Sequence, residues 1–212
     1  AIAKPAGNIT GVIRADFDPE RHPALTVSVI PVDANVAEDP ELAQLSEHYM
    51  ALLDERLSEV ITTSTVDLDA GASLNRHSET LLGNLIADAM RSSLNADLGL
   101  MQGGGIRSDS VFPAGELTLR ELTEILPFGN TIVLIEVTGR QLLEALENGV
   151  SQVENSSGRF PHPSGFSYVY DSSRPPFDRI TEVLVNGEPL DHEAATYTLA
   201  VSSFIAAGGD GY

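Results

Sequence analysis

Residues 79–107 read ETLLGNLIADAMRSSLNADLGLMQGGGIR, and this stretch decides the fold. Its first half predicts a helix over residues 78–93, because apolar side chains recur at steps of three and four residues. The residues on this apolar face are Leu81, Leu82, Leu85, Ile86, Ala89 and Met90. Residues 98–101 then predict a short apolar strand, which runs directly into three glycines and Arg107. A helix, a strand and a glycine turn therefore follow one another without a long connection.

Upstream of this stretch the sequence predicts a hairpin, a long helix and a connector. Residues 11–17 and 25–32 are rich in β-forming side chains and favour a β-hairpin. Asp39, followed by proline, is suited to the N-cap of a helix. Apolar residues at helical spacing then predict an amphipathic helix over residues 39–61. The polar run 62–76 is interpreted as a connector between two units.

Downstream of the glycine turn, helices and strands continue to alternate. Thr118 and Glu121 have the spacing of a capping box, which predicts a short helix to Leu126. Residues 131–137 are predicted to form a buried strand. The remaining predicted elements are a helix over 140–150, a loop over 155–165 and strands over 166–170, 180–185 and 197–202, with a hairpin turn at Asn186 and Gly187. Together these elements indicate the α+β class, as a layered mixed domain preceded by a β-hairpin and a long helix.

The composition excludes several classes of function. The 212 residues contain 12 Lys and Arg against 31 Asp and Glu, a net charge of −19. Few cations are therefore available to neutralise the phosphates of a nucleic acid. The chain has no cysteine, which excludes disulfides, thiolate metal sites and thiol nucleophiles. No apolar run reaches the roughly 18 residues of a membrane span, so we expect neither nucleic acid polymers nor membrane insertion.

Three loops carry side chains that are suited to binding a small molecule. Arg107 follows the three glycines, Phe128 lies in a tight turn, and Phe204 stands six residues before Asp210. Glycine allows close approach of the backbone, and Arg can donate paired hydrogen bonds to an anion. Two aromatic faces, a cation and a carboxylate suit a flat heterocycle that carries a sugar diol and a negative group. The residues alone leave open the alternative that the aromatics fill the core and the glycines make turns.

Three motifs occur in a fixed order behind the helix ETLLGNLIADAM: QGGGIR, LPFGN and FIAAGGDGY. This ordered set resembles the C-terminal domain of the 5′-nucleotidase family, over about residues 76–212. The resemblance implies an N-terminal phosphoesterase domain with two divalent metal ions, whose ligand motifs are absent from this sequence. It also implies a domain organisation: residues 1–38 as a remnant hairpin of the N-terminal domain, 39–61 as a linker helix, and 62–212 as the substrate-binding domain, truncated at its end.

The resemblance implies roles for individual residues of the three motifs. Phe128 and Phe204 sandwich the base, and we expect their rings to face each other about 7 Å apart. Asp210 accepts hydrogen bonds from the ribose hydroxyls, and Arg107 faces the ribose–phosphate side of the ligand. Asn130 is placed to support this pocket.

Three further positions carry over, and two departures from the family pattern accompany them. Gly104 belongs to the turn that brings the backbone close to the ligand. Gln102 stands where the family often has Asn, so its amide is moved by one methylene group. Arg76 keeps a phosphate role, but the second Arg of the Arg-x-Arg-Glu pattern is Ser78 here. These departures leave the substrate open.

The leading hypothesis is the substrate-binding domain of a metal-dependent 5′-nucleotidase-type phosphohydrolase, which orients a nucleotide for hydrolysis by the N-terminal domain. This chain is expected to hold no cofactor and to be inactive in isolation, and the family implies a periplasmic, secreted or cell-surface location. A stand-alone nucleotide-binding module and a structural or interaction domain are alternatives. Within the family, relatives that cleave UDP-sugars, 2′,3′-cyclic nucleotides or a thiosulfonate provide alternative substrates.

Overall fold

The computed structural model describes residues 9–16, 24–31, 37, 39–193 and 196–212. The helices among them are α1 (Pro40–Leu57), α2 (Ala72–Asn75), α3 (Leu81–Ser93), α4 (Leu119–Ile125), α5 (Gly139–Val150) and α6 (Ser203–Ala206). The strands are β1 (Ile9–Asp16), β2 (Ala24–Pro31), β3 (Val60–Ser64), β4 (Leu68–Asp69), β5 (Leu98–Gln102), β6 (Val111–Phe112), β7 (Gly115–Thr118), β8 (Ile132–Thr138), β9 (Pro161–Ser164), β10 (Phe166–Tyr170), β11 (Ile180–Val185), β12 (Glu188–Pro189) and β13 (Thr196–Ser202). The chain divides into two compact units, Ala1–Glu55 and Arg56–Tyr212.

The hairpin and the start of the long helix are confirmed. β1 and β2 pair antiparallel, with Ile9 opposite Pro31 and Asp16 opposite Ala24. The ends of the predicted strands at residues 17 and 32 lie outside the described residues. Oδ1 of Asp39 accepts hydrogen bonds from the backbone N–H groups of the second and third helical residues, at 2.9 and 3.2 Å, so Asp39 caps α1 as predicted.

The predicted helix over residues 39–61 is too long at its C-terminal end. α1 ends at Leu57, and Val60 begins strand β3, which pairs antiparallel with β7. The reason is the β-branched run that starts at Val60, because Val, Ile and Thr lose side-chain freedom in a helix and pack well on a sheet. No residue of α1 is buried.

The interpretation of the polar run 62–76 as a connector is wrong. This segment contains β4 and α2, and its Leu68 and Ala70 belong to the core of the second unit. Its polar side chains form hydrogen bonds with nearby backbone groups. For example, Oδ1 of Asp69 accepts from the N–H of Gly71 at 2.7 Å. Short polar side chains that bond to nearby backbone read as a loop in the sequence, although the segment is folded.

A four-stranded sheet in the order β8-β13-β5-β9 lies at the centre of the second unit. The pair β13–β5 is parallel, whereas β13–β8 and β5–β9 are antiparallel. Helix α3 packs on one face, where Met101 and Ala200 join its apolar side chains. Helix α5 packs on the other face with the antiparallel sheet β10-β11-β12, against Leu98, Leu100 and Val201. This layering confirms the predicted α+β class.

Both edges of the central sheet differ from the sequence prediction. The strand predicted over 131–137 is present as β8, but it is an edge strand whose Ile132 and Leu134 are 42% and 48% exposed. The other edge, β9, lies inside the loop predicted over residues 155–165 and has the sequence PHPS. Proline has no N–H to donate to a neighbouring strand and is tolerated at a sheet edge. Strand propensity therefore does not predict β9.

Two local signals predicted in the second unit are confirmed. Thr118 and Glu121 form the capping box of α4. Asn186 and Gly187, with φ angles of 52° and 83°, make the two-residue turn between β11 and β12. This turn needs two positive φ angles, which Asn and Gly adopt most readily.

Candidate functional site

A cavity of about 390 Å³ opens in the second unit, where the parallel strands β5 and β13 end. Ten residues line it: Arg76, Gln102, Gly104, Gly105, Arg107, Phe128, Asn130, Gly158, Phe204 and Asp210. All eight residues predicted from the sequence are among them, although the individual roles assigned to them stay predictions. Gly105 and Gly158 also line the cavity and were not predicted from the sequence.

The glycine turn forms the floor of this cavity by packing on two other backbone segments. The N–H of Gly103 donates to the carbonyl of Phe160 at 2.8 Å, and that of Gly104 donates to the carbonyl of Gly158 at 2.6 Å. A Cβ on Gly103 would overlap the carbonyl oxygen of Asn75, and one on Gly104 would lie 2.7 Å from the Cα of Gly158. Glycine is therefore required here by backbone packing. Gly158 carries no local sequence signal, because only the tertiary fold brings it to Gly104.

Phe128 lies between α4 and β8, 48% exposed. The guanidinium carbon of Arg107 lies 5.2 Å from the centre of the Phe128 ring, within the range of a cation–π interaction. The N–H of Arg107 donates to the carbonyl of Ile125 at 2.8 Å, at the end of α4. The guanidinium group of Arg107 and the Phe128 ring therefore pack against each other in the cavity wall.

Phe204 lies in the short helix α6 and not in a loop as its glycine-rich surroundings predict. Its side chain is 42% exposed, and the backbone of Gly209 packs against the ring. A Cβ on Gly209 would lie 2.5 Å from Cε1 of Phe204. Glycine at this position is what allows the C-terminal turn to approach the ring.

Two hydrogen bonds fasten the Phe128 turn to the Phe204 helix. The N–H of Ser203 donates to the carbonyl of Thr131 at 2.8 Å, and the N–H of Thr131 donates to Oγ of Ser203 at 3.2 Å. The two aromatic residues are thereby carried by segments that are bonded to each other. The predicted spacing of about 7 Å between their rings stays a prediction.

Asp210 is held by a polar network at the C-terminal end of α5. Asp210 has a left-handed backbone with φ of 55°, and its carbonyl accepts from Nδ2 of the buried Asn148 at 3.2 Å. Oδ1 of Asn148 accepts in turn from Nη1 of Arg159 at 3.0 Å. The hydroxyl of Tyr212 donates to the carbonyl of Arg159 at 2.6 Å, and burial raises the pKa of this phenol. None of these supporting residues was predicted from the sequence.

Arg76 and Gln102 contribute polar side chains to the cavity, and one donor of Arg76 has no partner among the described residues. Nη1 of Arg76 donates to the carbonyl of Ser156 at 3.4 Å, and Nε of Arg76 is buried without a partner among the described residues. Gln102 is 3% exposed, and its Oε1 accepts from Oγ of Ser202 at 3.4 Å. A buried donor without an acceptor is costly, so the Arg76 side chain is suited to an acceptor supplied by a ligand.

The charge of the cavity is opposite to that of the chain. Two arginines and one aspartate line it, whereas the chain as a whole carries −19. Arg107 is exposed, and Arg76 is half-buried beside the glycine floor. A cavity with more guanidinium than carboxylate groups favours an anionic ligand despite the acidic surroundings.

A buried polar cluster beneath the glycine floor supports Arg76. Asn75 is fully buried, and Oδ1 of its side chain accepts from the hydroxyl of Thr80 at 2.6 Å. The backbone carbonyl of Asn75 is the partner of Nε2 of His162, at 3.0 Å. Burial lowers the pKa of His162, partly offset by the Asn75 carbonyl and by the charge of Glu79. A carbonyl only accepts, so Nε2 carries the proton of the neutral ring. Nδ1 then packs against Gly83.

The described residues contain no group of three His, Cys, Asp or Glu side chains that could hold a metal ion. Among the described helices, none is long and apolar enough to cross a membrane.

The fold and the cavity define an α+β domain with a cleft at the carboxyl ends of two parallel strands. The family model described as 5′-nucleotidase, C-terminal domain matches residues 60–212. The chain therefore belongs to the family of 5′-nucleotidase C-terminal domains.

Known relatives agree with this assignment. The chain is 35% identical to the trifunctional nucleotide phosphoesterase protein YfkN of Bacillus subtilis, across 100% of the chain and 15% of that protein. It is 30% identical to bovine 5′-nucleotidase, across 97% of the chain and 39% of that protein. A solved 5′-nucleotidase precursor from Thermus thermophilus superposes with a TM-score of 0.73 at 37% identity, across 97% of the chain and 42% of that structure. The chain thus spans less than half the length of these relatives.

Proposed function

We propose that this chain is the substrate-binding domain of a metal-dependent 5′-nucleotidase-type phosphohydrolase and that its ligand is a nucleotide. The observation that carries the proposal is the convergence of all eight motif residues on one cavity. These residues come from segments that are far apart in the sequence, so a purely structural role for each motif would not bring them together. The names of the relatives, a nucleotide phosphoesterase and 5′-nucleotidases, support the same ligand class.

In this proposal the nucleoside lies between Phe128 and Phe204, and both rings have the exposure that a stacking platform requires. Stacking of a base on an aromatic side chain contributes about 1–3 kcal/mol. The carboxylate of Asp210 accepts from the ribose hydroxyls. Arg107 and Arg76 supply the positive charge for the phosphate.

The chemistry of hydrolysis belongs to the N-terminal domain that the family resemblance implies. Two divalent ions bound there would supply an activated water and stabilise charge on the phosphoryl oxygens. The part of this chain is to bind the nucleoside and to orient the phosphate, which lowers the entropic cost of reaching the transition state. By the same resemblance, we propose a periplasmic, secreted or cell-surface location.

The experiment is isothermal titration calorimetry of the 212-residue chain with adenosine, AMP and a UDP-sugar, repeated for Phe204→Ala. We expect binding of at least one of these ligands, and a loss of about 1–3 kcal/mol of binding free energy in the variant with little change in Tm. Phe177→Ala is the matched control, since Phe177 is 65% exposed and does not line the cavity. A parent chain that binds no ligand, together with a Phe204→Ala variant that unfolds several degrees earlier, would mean that Phe204 is a core residue.

A further inference from the structure

A second cavity of about 190 Å³ adjoins the first one and has no part in the proposed function. The two cavities share four lining residues: Gln102, Gly105, Phe128 and Asn130. The second cavity therefore begins where the proposed base position ends, beside the Phe128 ring and the Gln102 amide. If a bound base turns one edge toward these residues, a group attached to that edge can enter the second cavity directly.

The walls of the second cavity are mainly apolar. Ile86 and Met90 from α3 and Met101 from β5 are each less than 10% exposed, and Leu126 is half-buried. Ile132, 42% exposed, stands at the start of β8 and forms the outer part of the wall. Such a lining favours an apolar occupant over water.

The polar groups at this cavity are mostly used within the protein. Oγ of Ser202 donates to Gln102 and accepts from the N–H of Ile205, and the N–H of Thr131 is bonded to Ser203. The amide of Gln102 is different, because it lines both cavities and its Nε2 is a hydrogen-bond donor, while its Oε1 accepts from Ser202. This donor stands at the boundary of both cavities, where it can anchor the edge of a base that extends from one into the other.

We propose that this second cavity is a side pocket of the nucleotide site and takes an apolar group of about the size of a phenyl ring that is carried by the base. The inference rests on the proposed function, since the base must first lie in the cavity of Phe128 and Phe204. A dry cavity of about 150 Å³ with aliphatic walls is known to bind benzene. The volume of about 190 Å³ here is sufficient for the same group.

The first test compares adenosine with adenosines that carry a benzyl group at N6, C2 or C8, by calorimetry on the 212-residue chain. We expect one of the three isomers to bind about ten- to a hundredfold more tightly than adenosine, from burial of the phenyl ring. Ile132→Phe fills the pocket from its outer wall and should abolish that gain while adenosine affinity is kept. Leu134→Phe is the matched control, because Leu134 is exposed two residues along the same strand but does not line the cavity.

The second test uses the three methionines of the chain, each labelled with ¹³C at its methyl group. Met90 and Met101 line the side pocket, and the exposed Met50 of α1 does not. The tight-binding isomer should shift the Met90 and Met101 signals much more than adenosine does and leave the Met50 signal in place.

The outcomes separate the two proposals. If no nucleoside binds, the proposed function fails. If adenosine binds but no benzyl isomer gains affinity or shifts Met90 and Met101, the side pocket is overturned and the proposed function stands. A third outcome is that adenosine alone shifts the Met90 and Met101 signals as much as every benzyl isomer does. The pocket would then receive the displaced Phe128 ring, and the inference would again be overturned.

Discussion

The residues that line the candidate site are held in place by residues that do not line it. Asp210 is the clearest case, because a non-glycine residue with φ of 55° adopts a conformation that the backbone alone disfavours. The buried Asn148 bonds to its carbonyl, and Arg159 bonds to Asn148. We therefore regard Asn148 as a positioning residue for the Asp210 carboxylate.

Asn148→Ala should weaken nucleoside binding through the ribose and not through the base. Removal of the amide releases the Asp210 backbone, so the preference for adenosine over 2′,3′-dideoxyadenosine should fall by about tenfold, the size of one hydrogen bond to a charged group. Dideoxyadenosine affinity should be kept, as measured by calorimetry. Asn84→Ala is the control, since its amide bonds to Glu79 and does not line the cavity. An equal loss for both ligands would contradict a specific role at the ribose.

Gly209 should be as important for binding as the aromatic residue it supports. In Gly209→Ala the new methyl group would lie 2.5 Å from the Phe204 ring, so the ring must move. We expect a loss of nucleoside binding of about 1–3 kcal/mol, the contribution of one stacked aromatic. Gly129→Ala, beside the other ring, is the matched control because its Cβ would meet nothing within 4 Å. Similar affinities of the two variants would show that Phe204 does not contact the base.

At the scale of elements, one buried cluster joins α2, α3 and β9. Asn75 closes α2, accepts from Thr80 at the start of α3, and accepts from His162 in β9. The glycine floor packs directly on the same carbonyl of Asn75. The position of the floor therefore depends on a histidine that stays neutral and buried.

This histidine should make the folded state sensitive to acid. Burial lowers the pKa of His162 below its ordinary value of 6.5. Above pH 6.5 both the folded and the unfolded state hold a neutral ring, and as the pH falls below 6.5 only the unfolded state takes up the proton. The free energy of unfolding should therefore fall from pH 7 to pH 5, by at most about 1.4 kcal/mol per pH unit from this group.

Urea denaturation of His162→Gln at pH 7 and pH 5 tests this expectation. The Gln variant should have lower stability at pH 7 but a smaller loss on acidification than the parent chain. The control is His77→Gln, at an exposed histidine in the connection between α2 and α3. This variant should keep the pH dependence of stability of the parent chain. A parental pH dependence in the His162 variant would assign the acid sensitivity to other groups.

At the scale of the whole molecule, the proposed function separates binding from chemistry. The described residues of the chain line a cavity and contain no group of three His, Cys, Asp or Glu side chains that could hold a metal ion. The relatives it matches are more than twice as long. The domain arrangement implied by the resemblance, with hydrolysis in a preceding domain, accounts for both facts.

The isolated 212-residue chain should therefore show no phosphatase activity. AMP and an aryl phosphate, incubated with the chain and added Mn²⁺ or Zn²⁺, should release phosphate at the rate of the buffer, even where calorimetry shows that AMP binds. The control is Arg107→Ala, which should lower AMP binding without changing this background rate. Turnover that co-purifies with the chain and is lost in Arg107→Ala would place catalysis within this domain.

The sequence by itself determined the class of the fold, the caps of α1 and α4, the hairpin turn at Asn186 and the motif residues of the site. Each of these depends on neighbours within a few residues, or on an ordered motif, and both kinds of information are local. Only the tertiary structure decided that residues 62–76 belong to the core, that β9 exists, and that β8 lies at an edge. It also decided which residues support the site, such as Asn148, Gly158 and His162. These depend on contacts between segments that are distant in the sequence, where a buried amide or a glycine packed on another backbone leaves no periodic or local signal.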